Sequence, residues 1–277
     1  TLARVVADRQ RVEDYSYEVR RALEQEMDYE GEAQRLAHFH EIFASMPGVT
    51  CPRPFFEWTR KNVLTMSFID GRKLDEAFET AEARETRDAV LIRWIELYSW
   101  MLHDLHELHA DPHPGNFILT QDDELAILDF GCVKRCDPRF ADGILDIMDA
   151  CWQQDDARAA QAYRDLGFGR EGCDPSVFDP ELLRTYHAIC LEPFLKDEDF
   201  AFGEWEMRRA TQQFVLEHPA FLKLVPPAEG LLIFRVLGGI KGLLTKLDAR
   251  VNVHRMAVEV ARRRGRLTAP PFSQEAT

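Results

Sequence analysis

Hydrophobic and polar positions follow two rhythms along this chain. From about residue 12 to residue 46, apolar or aromatic side chains recur at spacings of three and four with charges between, and only Gly31 weakens the pattern. That period predicts a long amphipathic helix. Proline and glycine in MPGVTCPRP (46–54) end it. FFEW (55–58) and NVLTMSFI (62–69) flank a short polar link and predict a β-hairpin. DGRKLDEAF (70–78) reads as a turn entering a short helix. A second long helix is predicted from about Arg84 to Leu108, with Leu91, Trp94, Ile95, Leu97, Tyr98, Met101, Leu102 and Leu105 as its apolar positions. FILT (117–120) and LAIL (125–128), joined by the polar QDDE, predict two short strands. Beyond residue 131 the helical pattern returns. Asp137–Pro138 forms an N-cap and first-turn pair, breaks fall near 167–175 and 218–230, and the tail from 261 is expected to be loose. This order predicts an α+β protein in which the helical part dominates.

Composition narrows the function. With 277 residues, 45% hydrophobic, the chain is long enough for a sizeable core in one or two domains. The formal net charge of −14 argues against non-specific nucleic-acid binding, which needs Lys and Arg to neutralise phosphates. It leaves room for nucleotides, whose phosphates are met through bound cations. Six cysteines without a CxxC pair read as reduced thiols. There is no secretory signal. The most apolar stretch, GLLIFRVLGGIKGLL (230–244), is interrupted by Arg235 and Lys241 and is too short to span a bilayer. The expected placement is cytoplasmic.

The chemistry concentrates in HADPHPGNFILTQDDELAILDFG (109–131). Asp111 follows the predicted long helix, Asn116 comes five residues later, and Asp129 another 13. If the two short strands pair antiparallel, the start of the first lies beside the end of the second, and Asn116 approaches Asp129. An amide oxygen and a carboxylate converging there suit Mg²⁺, which takes oxygen ligands and keeps waters and phosphates. Asp111 on the same loop can orient a hydroxyl or water, or accept its proton.

HADPHPGN followed by LDFG resembles the catalytic loop and metal-binding motif of the protein-kinase-like superfamily, and most closely the UbiB (AarF-like) atypical kinases. The resemblance implies a kinase-like fold with ATP and Mg²⁺ as cofactors. Asp111 would be the catalytic aspartate, and Asn116 and Asp129 the metal ligands. EQEMDYEGEAQRLAHF (24–39) is similar to that family's αC-like region. There Glu26 and Asp28 match an acidic pair, and Glu32 matches the glutamate that pairs with an ATP-anchoring lysine. VLTMSFIDG (63–71) resembles the strand entering the hinge, which implies that backbone at Ser67, Phe68 and Ile69 meets adenine. LIFRVLGGIKGLLTKLDARVN (232–252) resembles the family's C-terminal helical region.

The match has gaps. No glycine- or alanine-rich nucleotide loop precedes the αC-like segment, no anchoring lysine is visible, and the chain starts on Thr1. Either the sequence is truncated at its N-terminus, which the start on Thr1 favours, or this is a divergent member with a stripped small lobe. Residues 1–70 are read as a small-lobe remnant and residues 71–277 as a helical large lobe, and this chain alone is expected to bind ATP poorly. After the DFG no Ser, Thr or Tyr occurs before Ala150 and no Ala-Pro-Glu motif follows. A small-molecule or lipid substrate is therefore expected over a protein. The resemblance implies a role in ubiquinone or other isoprenoid-lipid metabolism, with peripheral contact at the inner membrane kept open. The alternatives are a phosphotransferase of the aminoglycoside or choline kinase type, and a catalytically silent pseudokinase or lipid-binding scaffold. A zinc hydrolase built on His103, His106, His109 and His113 lacks the HExxH pattern. The RRR at 262–264 reads as a soluble tail or, alternatively, as a contact to anionic lipid.

Overall fold

The computed structural model describes residues 28–80, 84–169 and 175–269. The chain divides into two compact units, one of Thr1–Val90 with His109–Lys134, the other of Leu91–Leu108 with Arg135–Thr277. In chain order the elements are helix α1 (Tyr29–Phe43), strands β1 (Val49–Thr50) and β2 (Gly71–Lys73), helices α2 (Leu74–Thr80) and α3 (Arg84–Trp100), strands β3 (Glu107–His109), β4 (Phe117–Thr120), β5 (Leu125–Ile127) and β6 (Val133–Arg135), and then helices α4 (Pro138–Trp152), α5 (Asp156–Asp165), α6 (Pro180–Cys190) and α7 (Glu192–Leu195). Strand β7 (Phe200–Ala201), helices α8 (Met207–Glu217) and α9 (Ala228–Lys246), strand β8 (Arg250–Val251) and helix α10 (Val253–Arg263) complete them. The α+β class stands.

In the first unit α1 begins where Asp28 caps it by accepting from the Gly31 N–H at 3.1 Å. Its buried side chains, Glu32, Ala33, Leu36, Phe39 and Phe43, fall on one face. The four-stranded sheet runs β1-β5-β4-β2, with β1 parallel to β5 and the other pairs antiparallel. Phe117 pairs with Ile127, so the predicted FILT/LAIL hairpin forms in the register that brings Asn116 toward Asp129. Asp123 turns it with a left-handed φ of 59°, which a short polar side chain tolerates.

The second unit is helical. One of its cores gathers Ile147, Ala160, Tyr163, Val177, Phe178, Leu183, Phe214 and Phe221. Another packs Leu145 and Trp152 of α4 against Val258, Val260 and Ala261 of α10. Helix α4 starts at the predicted Asp137–Pro138 pair, where Asp137 accepts from the Arg139 N–H at 2.8 Å.

Of the expected 12–46 helix the structure describes Tyr29–Phe43, and residues 12–27 lie outside the described residues. Three expectations need correction. The 55–69 hairpin is reduced to two isolated bridges, Pro54–Met66 and Arg60–Val63. Thr59 draws the chain inward there: its hydroxyl donates to the Phe55 carbonyl at 3.0 Å and accepts from the Thr65 N–H at 3.1 Å, making turns instead of a ladder. Helix α3 stops at Trp100, and the chain continues as a π-helical turn (Met101–Leu105) closed by His106 at φ 58° before entering β3. The tail is held rather than loose as far as Ala269, whose carbonyl accepts from the Gln153 side chain at 2.8 Å.

The same segment carries the basic cluster. Arg262 pairs with Glu259, Arg263 meets Asp104 at 2.6 Å, and Arg264 and Arg266 converge on Asp142 at 3.1 and 2.8 Å. Each arginine of the 262–264 run has an acidic partner within its own unit. Among the described residues no helix is long and apolar enough to cross a membrane.

Candidate active site

Two short polar connections and helix α1 of the first unit supply the site. Residues His109 to Asn116 leave β3, turn through a 3₁₀ segment (Pro114–Asn116) and enter β4. His113 accepts the Gly115 N–H at 3.0 Å, which tightens that turn. At its end the Asn116 side-chain amide donates to the Asp111 carboxylate at 2.8 Å and to the Asp111 carbonyl at 3.4 Å. The amide nitrogen is thus committed to Asp111 and its oxygen is left to accept or to coordinate. The Asn116 backbone carbonyl accepts from the Leu128 N–H at 2.9 Å, extending the hairpin by one step and delivering Asp129 next.

Asp129, Phe130 and Gly131 are gripped from two sides. Asp129 Oδ1 accepts the Gly131 N–H at 2.7 Å. Its backbone carbonyl meets His109 Nε2 at 2.6 Å. His109 Nδ1 accepts the Asp111 N–H at 3.3 Å, so the proton sits on Nε2 and the ring is neutral. Burial holds the His109 pKa below its ordinary value, which fits that tautomer. One fully buried imidazole therefore links the backbone of the loop bearing Asp111 to the backbone of the segment bearing Asp129.

Helix α1 supplies the other side. Glu32, Arg35, Phe39 and Phe43 lie at three- and four-residue steps on one face. Glu32 Oε1 accepts the Phe130 N–H at 3.3 Å. Arg35 donates to the Phe130 carbonyl at 2.7 Å and to the Gly131 carbonyl at 3.3 Å. The Phe39 ring stacks on Phe130 at 4.7 Å between centroids. Glu32 is buried, and burial raises its pKa, helped by the neighbouring Asp129 carboxylate and opposed by Arg35. The neighbouring Glu32 and Asp129 carboxylates form a pocket of negative charge that a cation would relieve.

The donor set fits Mg²⁺: an amide oxygen, a carboxylate and a second carboxylate behind it, leaving positions for waters and phosphate oxygens. Among the described residues no group of three or more His, Cys, Asp or Glu is placed to hold a metal, so phosphates and waters would supply most of the remaining ligands. The anchoring half of a nucleotide site is a poorer fit. The cation acting on Glu32 among the described residues is Arg35, whose donors reach the backbone of Phe130 and Gly131, and no lysine takes that place.

The structure thus brings Glu32, Asp111, Asn116 and Asp129 into one bonded network. Ser67, Phe68 and Ile69 belong to a local arrangement with Arg53. Ser67 exchanges two 2.9 Å hydrogen bonds with the Arg53 backbone, Ile69 is half-buried, and the Phe68 side chain is 89% exposed. Asp28 serves as the α1 cap, and Glu26 lies outside the described residues. Sequence reasoning missed Arg35 and the bridging role of His109. The shared spacing of Arg35 with Glu32 and Phe39 was the available signal for the first.

Comparison with known proteins bears on the family. Residues 1–163 match the ABC1 atypical kinase-like domain. The mitochondrial atypical kinase coq-8 of Caenorhabditis elegans is 28% identical over 241 residues, 84% of this chain and 31% of that protein. The mitochondrial atypical kinase COQ8B of Danio rerio is 27% identical over 252 residues, 89% of this chain and 39% of that protein. The chain therefore spans about a third of the length of these curated relatives. The solved structure of Rv3197 from Mycobacterium tuberculosis, determined with erythromycin, superposes with a TM-score of 0.69 at 21% identity over 89% of this chain and 60% of that one. That likeness extends the kinase-like fold to this chain. With the sequence match covering more than half its length, the chain belongs to the ABC1 atypical kinase-like (UbiB/AarF) family.

Proposed function

We propose that this chain carries the metal-and-catalytic half of a Mg²⁺-dependent ATP site, serving ATP hydrolysis or phosphoryl transfer to a small molecule or lipid. The observation that carries it is the 2.8 Å bond from the Asn116 amide nitrogen to the Asp111 carboxylate. That bond turns the amide oxygen away from Asp111, on a residue whose backbone is paired one step before Asp129. Asn116 and Asp129 would hold the metal, which when bound would neutralise phosphate charge. Asp111 would orient the attacking hydroxyl or water and accept its proton. Glu32 and backbone at Ser67, Phe68 and Ile69 would border the nucleotide.

Only six residues separate Gly131 from Pro138, where α4 begins. So short a connection leaves little room for a protein-substrate platform and supports a small or lipid acceptor. A role in ubiquinone or isoprenoid-lipid metabolism belongs to the same proposal and is supported by the COQ8 relatives; the cytoplasmic placement with peripheral contact at the inner membrane is proposed from the sequence. The second reading is a silent scaffold.

Calorimetric titration of the full-length protein with ATP, with Mg²⁺ and with EDTA, tests the first reading. Mg²⁺-dependent binding lost in Asp129→Asn is expected. Wild-type binding indifferent to Mg²⁺ would sink it. Asp111→Asn separates enzyme from scaffold: unchanged cellular function of that variant favours the scaffold.

A further inference from the structure

We propose that Arg35 is a positioning residue which, by clamping the Phe130 and Gly131 carbonyls from helix α1, sets the direction of the Asp129 carboxylate. The inference rests on reading Asp129 as a metal ligand. The mechanical link is one peptide plane. Arg35 Nε donates to the Phe130 carbonyl at 2.7 Å. The N–H of that same peptide unit belongs to Gly131 and donates to Asp129 Oδ1 at 2.7 Å. A peptide bond is planar and resists rotation, so fixing its carbonyl fixes its N–H. The guanidinium therefore aims the donor that holds the carboxylate, and by polarising the carbonyl it strengthens that donor.

The second contact removes the remaining freedom. Arg35 Nη2 reaches the next carbonyl, that of Gly131, at 3.3 Å. Two successive carbonyls meeting one guanidinium must turn to the same side. A planar fork suits this and a point-charge ammonium does not. One helical turn earlier, Glu32 accepts the Phe130 N–H, and one turn later Phe39 stacks on the Phe130 ring. Both main-chain polar groups of Phe130 and its side chain are thus held by a single helix. A displacement of α1 is passed directly to Asp129.

Partners that orient metal ligands typically contribute ten- to a hundredfold to metal affinity. In the full-length protein, Arg35→Gln is expected to raise the Mg²⁺ concentration for half-maximal nucleotide binding about tenfold, leaving metal-free nucleotide affinity unchanged. Arg35→Lys, which can reach one carbonyl but not both, should fall between, and it serves as the test if Arg35→Gln fails to fold. Hydrogen exchange at the Gly131 amide, read without nucleotide, should accelerate about tenfold in the same variants, in step with the lost hold on that peptide. A folded variant with unchanged Gly131 exchange overturns the clamp. Faster exchange with an unchanged Mg²⁺ requirement, or with affinity lost equally in the presence and absence of metal, overturns the positioning role. A wild type without Mg²⁺-dependent nucleotide binding overturns the functional reading instead, and the exchange measurement tells that failure from a failure of the clamp.

Discussion

Replacing His109 by leucine isolates the bond that ties the two halves of the site. The imidazole is 1% exposed and makes two contacts with backbone: Nε2–H to the Asp129 carbonyl at 2.6 Å and Nδ1 from the Asp111 N–H at 3.3 Å. Leucine is close in volume, so little cavity opens, but both backbone groups, on half-buried residues, lose their partner. Each unsatisfied buried group costs about 1–3 kcal/mol, and the carbonyl, with the shorter bond, should sit at the upper end. Removing the desolvated imidazole returns part of that. The expected net loss is about 2–4 kcal/mol, read as a shift in the urea midpoint by circular dichroism at pH 7.5. His109→Gln, which can restore one of the two bonds, should lose about half as much. A loss for His109→Leu under about 1 kcal/mol would refute the claim that this ring bears the connection.

Four further outcomes follow from other parts of the molecule. His103 and His187 are held neutral by burial at about 4, below the ordinary 6.5. The unfolded chain therefore takes up protons first, so stability should be level above about pH 6.5 and fall toward pH 4, by at most about 3 kcal/mol per histidine. Melting temperatures across that range check it, and stability rising on acidification would contradict it. Leu183→Ala, at a fully buried core position of the helical unit, should cost about 2–5 kcal/mol in denaturant unfolding. Asp142→Ala strips Arg264 and Arg266 of a shared partner and should cost about 1–3 kcal/mol, with a smaller wild-type advantage in high salt. Alanine at 262–264 should lower the melting temperature and leave sedimentation with anionic vesicles unchanged, because these arginines already have acidic partners; loss of vesicle binding with intact stability would reverse that assignment.

Local rules sufficed where a residue's neighbours in sequence are also its partners. Asp137 and Pro138 start α4 because an N-cap acts within one turn. The FILT/LAIL hairpin and its register followed from alternation about a short polar turn, and register alone moved Asn116 toward Asp129. The family motif, with Asp111, Asn116 and Asp129 at their spacings, was legible for the same reason. The 55–69 hairpin failed because the Thr59 hydroxyl competes for backbone groups that alternation assigns to a ladder.

What the sequence by itself determined is the α+β class, the helical dominance, the family, and the loop that carries the candidate chemistry, because each depends on period or on spacing within a few residues. Tertiary structure alone decided who meets whom across long intervals. Arg35 finds Phe130 95 residues away, and Arg264 finds Asp142 122 residues away. One-dimensional pattern marks a side chain as polar or apolar but not which buried carbonyl or carboxylate awaits it. That is why neither the role of Arg35 nor the partners of the arginine run could be read from the sequence.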